Sequence, residues 1–97
     1  MNNEKPDTLE SFRQQIDSLD ARIIDALGRR FKICEMIALH KKKEGIPMMQ
    51  HSRVEQVKQR CMNLGAQYGL DPNLVAELYG LIIRQSCELE NAIIENQ

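Results

Sequence analysis

Apolar side chains recur along the first half of the chain at alternating steps of three and four residues. They are Leu9, Phe12, Ile16, Leu19, Ile23, Ala26, Ile33 and Ile37. This heptad spacing predicts one long helix from Asp7 to about Lys42. Asp7 and Glu10 match a capping box at its start, and Gly45 and Pro47 end the pattern. Such a helix is about 50 Å long, too long for two short helices of the same chain to cover. We therefore expect a partner along its length.

A second, shorter helix is predicted after a loop over residues 46–51. Ser52 and Glu55 repeat the capping pattern at its start. The pattern fades between Gly65 and Gly69, and one face carries Val54, Val57, Cys61 and Leu64.

The third helix has the strongest start signal, because Asp71 is a good N-cap and Pro72 suits the first helical position. Its apolar stripe continues to the end of the chain through Leu74, Leu78, Ile82, Leu89 and Ile93. No strand-like alternation competes with these patterns. The predicted fold is therefore all-α, with three helices in a single domain over residues 1–97.

Composition narrows the function classes. The 97 residues, 42% hydrophobic and 28% charged, suit one small domain whose core is marginal for a monomer, which favours an oligomer. No apolar run reaches the roughly 18 residues of a spanning helix, and the first residues lack signal-peptide features. We expect a cytoplasmic protein without a membrane partner. A net charge of −1 supplies no positive field to recruit nucleic acid, so no nucleic-acid partner is expected.

The cysteines and histidines show no metal-binding pattern. Cys34, Cys61 and Cys87 are widely spaced and are interpreted as reduced core residues. His40 and His51 lack the spacing of metal ligands. We expect neither a metal nor a cofactor.

Some polar residues occupy places that the periodicity reserves for apolar ones. Arg30 shares the heptad position of Ile23, where a guanidinium group must be paired or must face an anion. Lys41 follows eleven residues later, about 20° away around the helix, so both cations point from one face. The alternative is that Arg30 pairs with an acid such as Glu35 or Glu90, and that Lys41 belongs to a solvated helix end.

Arg13 also lies near this seam, but about 25 Å from Arg30 along the helix. One chain therefore cannot bring both to one small ligand. If two copies of the helix cross about a dyad near residue 24, Arg13 of one chain lies opposite residue 35 of the other, between Arg30 and Lys41. Without such a partner, Arg13 is an ordinary surface arginine.

Two further groups complete the candidate pocket. Arg53 lies in the first turn of the second helix, where free amides and the helix dipole favour an anion; the alternative is an exposed arginine. Ser86 and Glu90 interrupt the third apolar stripe at i, i+4 spacing, so we expect both to face the same interior as Arg30. The alternative is a buried hydrogen bond between the two. Together, one carboxyl group and four cations describe a pocket for a small dianion: Arg13, Arg30, Lys41 and Arg53.

The order and spacing of these residues resemble the all-helical class of chorismate mutases. The resemblance covers almost the whole chain and rests on these segments: Arg13 with Ile16, Leu19 and Asp20; Gly28-Arg29-Arg30; Lys41; Ile46-Pro47 before Arg53; Gly69-Leu70-Asp71; and Leu78-Tyr79 with Ile82-Ile83. It implies an intertwined homodimer with two shared active sites. It also implies a pericyclic rearrangement of chorismate to prephenate, which requires no nucleophile or metal.

The resemblance also implies a role for each candidate residue. Arg13 of the neighbouring chain, with Arg30 and Arg53, would hold the two substrate carboxylates. Lys41 and Glu90 would contact the ether oxygen, and Ser86 would bond at the pocket edge. Many members have glutamine in place of Glu90, so this carboxyl group would have to be protonated to donate a hydrogen bond.

The ring substituent of the substrate stays open, because Gln50 and Val54 replace the acidic side chains that commonly meet the ring hydroxyl. The stretch from Gly45 to Val54, with residues 87–90, is similar to relatives that act on 4-amino-4-deoxychorismate. Valine after Arg53 is also similar to isochorismate pyruvate lyases. We rank a mutase on chorismate or its amino analogue first, the lyase second, and keep a non-enzymatic helical dimer as an alternative.

Overall fold

The computed structural model describes residues 8–47 and 51–95, and these form three α-helices and no strands. They are α1 (Leu9–Glu44), α2 (His51–Gln67) and α3 (Pro72–Glu95). The predicted all-α class with three helices is confirmed. The boundaries differ slightly from prediction, because α1 continues two residues past Lys42 and α2 begins at His51, which was assigned to the loop.

Short polar side chains begin α1 and α3. The hydroxyl of Thr8 accepts a hydrogen bond from the Ser11 amide over 3.0 Å, so Thr8 caps α1. The predicted cap, Asp7, lies outside the described residues. At α3, Asp71 Oδ1 accepts from the Asn73 amide over 3.1 Å, which confirms the predicted N-cap.

Glycines in the left-handed region end α1 and α2. Gly45 and Gly69 have φ angles of 69° and 75°. After Gly45, the Ile46 amide donates to the Lys41 carbonyl over 3.0 Å, and after Gly69 the Leu70 amide reaches back five residues over 2.9 Å. These bonds define Schellman caps, in which glycine avoids the steric cost of a Cβ.

Contacts within the chain divide it into two units, one up to Lys32 and one from Ile33 onward, and α1 contributes to both. In the first unit, residues 8–32 form one helical segment in which no residue is buried. The predicted apolar seam of this segment lies open to solvent. The exposed seam residues are Leu9, Phe12, Ile16, Leu19 and Ile23, and Ile24 is exposed beside them.

The core of the second unit lies between α2 and α3. Val57, Cys61 and Val75 are buried there, with Met62, Tyr79 and Ile83 packed against them. Gly65 permits a close approach, because a Cβ at this position would lie 2.8 Å from Val75 Cγ2.

The end of α1 adds buried Cys34 and Ala38 to the second unit. Cys34, Cys61 and Cys87 are not in disulfide bonds; the first two are buried and the third is half-buried. No helix in the described part of the chain is long and apolar enough to cross a membrane.

Candidate functional site

A largely buried ion pair joins α1 to α3 in the second unit. Lys41 Nζ lies 3.2 Å from Glu90 Oε1, with 17% and 10% of the two side chains exposed. Lys41 stands in the last turn of α1, where the helix dipole favours a cation. Removing one partner of such a pair would leave the other charge buried without compensation. The pair therefore places a positive donor and a carboxylate at a site sheltered from water.

Ser86 lies one turn before Glu90 on α3, and both are buried. The Ser86 hydroxyl donates to the Ile82 carbonyl over 2.8 Å. Glu90 itself accepts from Lys41, so each of the two side chains has a partner besides the Ser86–Glu90 bond that the sequence offered as an alternative.

Cys87 is a neighbour of the ion pair that the sequence analysis treated only as a core residue. The pKa of its thiol is raised above 9.0, first by burial and then by the negative charge of Glu90, while Lys41 acts in the opposite direction and Cys34 adds a small increase. The thiol is therefore neutral at neutral pH. The sequence did contain a signal for this proximity, since Cys87 and Glu90 are three residues apart and therefore lie on one side of α3.

A second lysine contact was also not predicted. Lys42 Nζ donates to the backbone carbonyl of Ile93 over 3.2 Å. Ile93 follows Glu90 by three residues, so two consecutive lysines of α1 hold adjacent parts of α3. A sequence cannot reveal a bond to a backbone carbonyl of another helix, because any residue supplies that acceptor.

An open groove of about 410 Å³ lies beside the ion pair in the second unit. Its lining is apolar apart from two side chains, and consists of Ile33, Met36, Ile37, His40, Lys41 and Ile46. Lys41 thus belongs both to the groove wall and to the ion pair.

The other predicted site residues are placed separately. Arg53 is exposed in the first turn of α2, where its Nη1 donates to Gln56 Oε1 over 3.0 Å. The neighbouring Val54 is half-buried. Arg13 is exposed and Arg30 is half-buried, both in the first unit.

Gln50 lies outside the described residues. Lys41, Ser86 and Glu90 are thus the predicted residues that the structure brings together. Among the residues that the structure describes, no three histidine, cysteine or acidic side chains form a group that could hold a metal ion.

Fold and site together define an all-helical protein with a sheltered lysine donor paired with a carboxylate. Residues 12–91 match the family described as chorismate mutase type II. The 4-amino-4-deoxychorismate mutase of Streptomyces venezuelae is 35% identical over 89 residues, which are 92% of this chain and 86% of that protein. The chain therefore belongs to the chorismate mutase type II family, as its sequence predicted, and is an isomerase of the chorismate mutase type.

Two further relatives show the range of similarity. The 4-amino-4-deoxychorismate mutase of Streptomyces pristinaespiralis is 36% identical over 85 residues, covering 88% of this chain and 66% of that protein. The chorismate mutase of Methanocaldococcus jannaschii is 23% identical over 87 residues, covering 90% and 88%.

Proposed function

We propose that the chain catalyses the rearrangement of 4-amino-4-deoxychorismate, with chorismate as the second candidate substrate. Two relatives that carry the first activity in their names are 35% and 36% identical to the chain over 92% and 88% of its length. A bifunctional chorismate mutase/prephenate dehydratase of Buchnera aphidicola is 33% identical over 80% of the chain, which keeps chorismate as the second candidate. Gln50 and Val54 support the same choice, since neither offers the carboxylate expected opposite a ring hydroxyl.

The proposed enzyme is a homodimer in which the α1 helices pair antiparallel. The exposed apolar seam supports this, since Leu9, Ile16 and Ile23 are 63%, 56% and 61% exposed in the single chain. A continuous apolar stripe of this kind marks an interaction surface. With a dyad near residue 24, positions 9 and 12 of one copy lie opposite positions 39 and 36 of the other, beside the groove.

Arginine side chains then hold the two carboxylates of the substrate. They are Arg30 and Arg53 of one chain and Arg13 of the partner subunit. Arg53 donates to the neutral side-chain amide of Gln56 in a solvent-exposed contact. A substrate carboxylate that accepts two hydrogen bonds from the guanidinium group is a stronger partner and would replace it. Two fixed carboxylates hold the enolpyruvyl arm over the ring in a conformer ready to react.

The reaction occurs within one molecule. The ether C–O bond breaks while a C–C bond forms between the enolpyruvyl methylene and the ring, and no proton or electron pair leaves the substrate. Negative charge grows on the ether oxygen in the transition state. Lys41 donates to that oxygen, and its contact strengthens as the charge develops, which lowers the barrier.

The observation that carries this proposal is the sheltered Lys41–Glu90 pair on a groove wall. In the ionised pair, Glu90 holds the ammonium group in place. Once protonated, Glu90 can itself donate to the ether oxygen beside Lys41. Either form places a donor where a rearranging ether needs one.

The test is a parallel incubation of the purified protein with 4-amino-4-deoxychorismate, chorismate and isochorismate. Products are separated by chromatography and identified by mass and NMR, because a mutase product has the mass of its substrate whereas a lyase releases pyruvate. We expect isomerisation with the amino substrate fastest. Lys41→Met serves as the control and should lower kcat by about 10²- to 10³-fold, as loss of an oxyanion donor does. Pyruvate from isochorismate alone, or no turnover at all, would contradict the proposal.

A further inference from the structure

Two neighbouring lysines of α1 hold the end of α3. Lys41 Nζ donates to Glu90 Oε1, and Lys42 Nζ donates to the Ile93 carbonyl, each over 3.2 Å. Successive residues of an α-helix point about 100° apart around its axis, so the two ammonium groups leave α1 in different directions. We infer that Lys42 is a positioning residue, which fixes the rotation of α1 against α3 and thereby aims the ammonium group of Lys41.

The carbonyl that Lys42 contacts is well suited to a cation. Ile93 lies in the last turn of α3, where carbonyls lack amide partners within the helix and the helix dipole is negative. Glu90 lies three residues earlier, so the two contacts are neighbours along α3. An ammonium group from α1 therefore binds a backbone carbonyl in the last described turn of α3.

A single contact would not define the rotation. The Lys41–Glu90 pair joins the tips of two flexible side chains, and rotamer changes in either can follow a rotation of α1. The Ile93 carbonyl belongs to the helix backbone and cannot move without it. Since a misplacement of about 1 Å can cost about 10²-fold in rate, the second contact matters to chemistry at the first. The inference rests on the proposed function, which assigns Lys41 to the ether oxygen.

The first variant is Lys42→Met, which removes the ammonium group and keeps most of the side chain. We expect kcat for the preferred substrate to fall about two- to tenfold, the size of one cation contact at a helix terminus. KM should stay within about twofold, because Lys42 does not bind substrate. Lys42→Arg keeps a donor and should restore most of the rate. Lys43→Met makes the same charge change at an exposed neighbour and should leave kcat and KM unchanged.

The second experiment compares Lys41→Met with the double variant Lys41→Met/Lys42→Met. Because Lys42 acts through Lys41, the double variant should be no slower than Lys41→Met alone. Multiplicative losses, a change confined to KM, or an equal loss in Lys43→Met would overturn the inference and leave the proposed function standing. An undiminished kcat in Lys41→Met would overturn the proposed function itself, and the inference with it.

Discussion

The role proposed for Glu90 depends on whether its carboxyl group carries a proton. An ionised carboxylate accepts from Lys41, as the 3.2 Å contact shows, but it cannot donate to an ether oxygen. A protonated carboxyl group can. The two forms therefore predict different dependences of rate on pH.

Since only a protonated carboxyl group can donate to the ether oxygen, we expect kcat to fall as pH rises. Glu90→Gln supplies a permanent amide donor and should flatten the profile. The measurement is kcat from mildly acidic to mildly alkaline pH for both proteins, with a chemical control for substrate decay. A wild-type rate that is constant over this range would show that Glu90 acts only by holding Lys41.

The Cys87 thiol senses the charges of both Glu90 and Lys41, which change its pKa in opposite directions. Burial raises the pKa of its thiol most, the charge of Glu90 raises it further, and Lys41 lowers it. Glu90→Gln should therefore lower the pH at which Cys87 reacts with a thiol alkylating reagent, and Lys41→Met should raise it. The rate at Cys87 is followed by mass spectrometry across alkaline pH, with Cys34 and Cys61 as internal references. Shifts of the same sign in both variants would contradict this charge arrangement.

The raised pKa has a consequence for stability. A thiol that ionises at higher pH in the folded chain than in the unfolded chain favours the folded state at neutral pH. That contribution is lost as pH rises through the folded pKa, because the unfolded chain then releases its proton more readily.

At the scale of the helix, the sequence could predict the features that depend on residues close together in the chain, above all the helix boundaries. Asp71 and Gly45 act on amides or backbone angles within a few residues, so start and stop signals predicted boundaries within about two residues of those observed. Thr8, which caps α1, was not among the predicted signals. Contacts between helices depend on which helix faces meet. Neither the Lys42 contact nor the close approach at Gly65 produces a recognisable hydrophobic pattern in the sequence. The resemblance singled out Lys41 and Glu90 together, but not the bond between them.

The approach of α2 to α3 at Gly65 makes a sharp stability prediction. A Cβ there would meet Val75 Cγ2 at 2.8 Å, and a β-branched side chain has little rotamer freedom to move away. Gly65→Ala should therefore lower the free energy of unfolding by about 1 to 3 kcal/mol. Gly28→Ala is the matched control, since nothing lies within 4 Å of its Cβ position. That change should stabilise α1 by about 0.5 to 1 kcal/mol. Urea denaturation measures both, and equal effects would contradict the packing argument.

At the scale of the whole molecule, the proposed dimer depends on the exposed apolar seam of α1. Ile23 and Ile24 are adjacent and similarly exposed, 61% and 67% in the single chain, yet only Ile23 belongs to the heptad seam. Near a dyad, Ile23→Asp places two like charges in an apolar interface and should dissociate the dimer at micromolar concentration. Ile24→Asp should not. Sedimentation velocity separates these outcomes, and a wild-type protein that sediments as a monomer would contradict the shared site.

The proposed shared sites predict that two inactive variants restore each other's activity in a mixed dimer. Arg13→Ala removes an arginine that serves the site of the partner subunit, whereas Lys41→Met removes a lysine that serves the site of its own chain. A mixed dimer therefore holds one site with both residues intact and one site with neither. Random exchange makes half of the dimers mixed, so an equal mixture should recover about a quarter of the wild-type rate. Activity is measured after the variants are unfolded together and refolded, with each variant refolded alone as the control. If both residues served the site of their own chain, every site in a mixed dimer would still lack one of them. The mixture would then be no more active than either variant refolded alone.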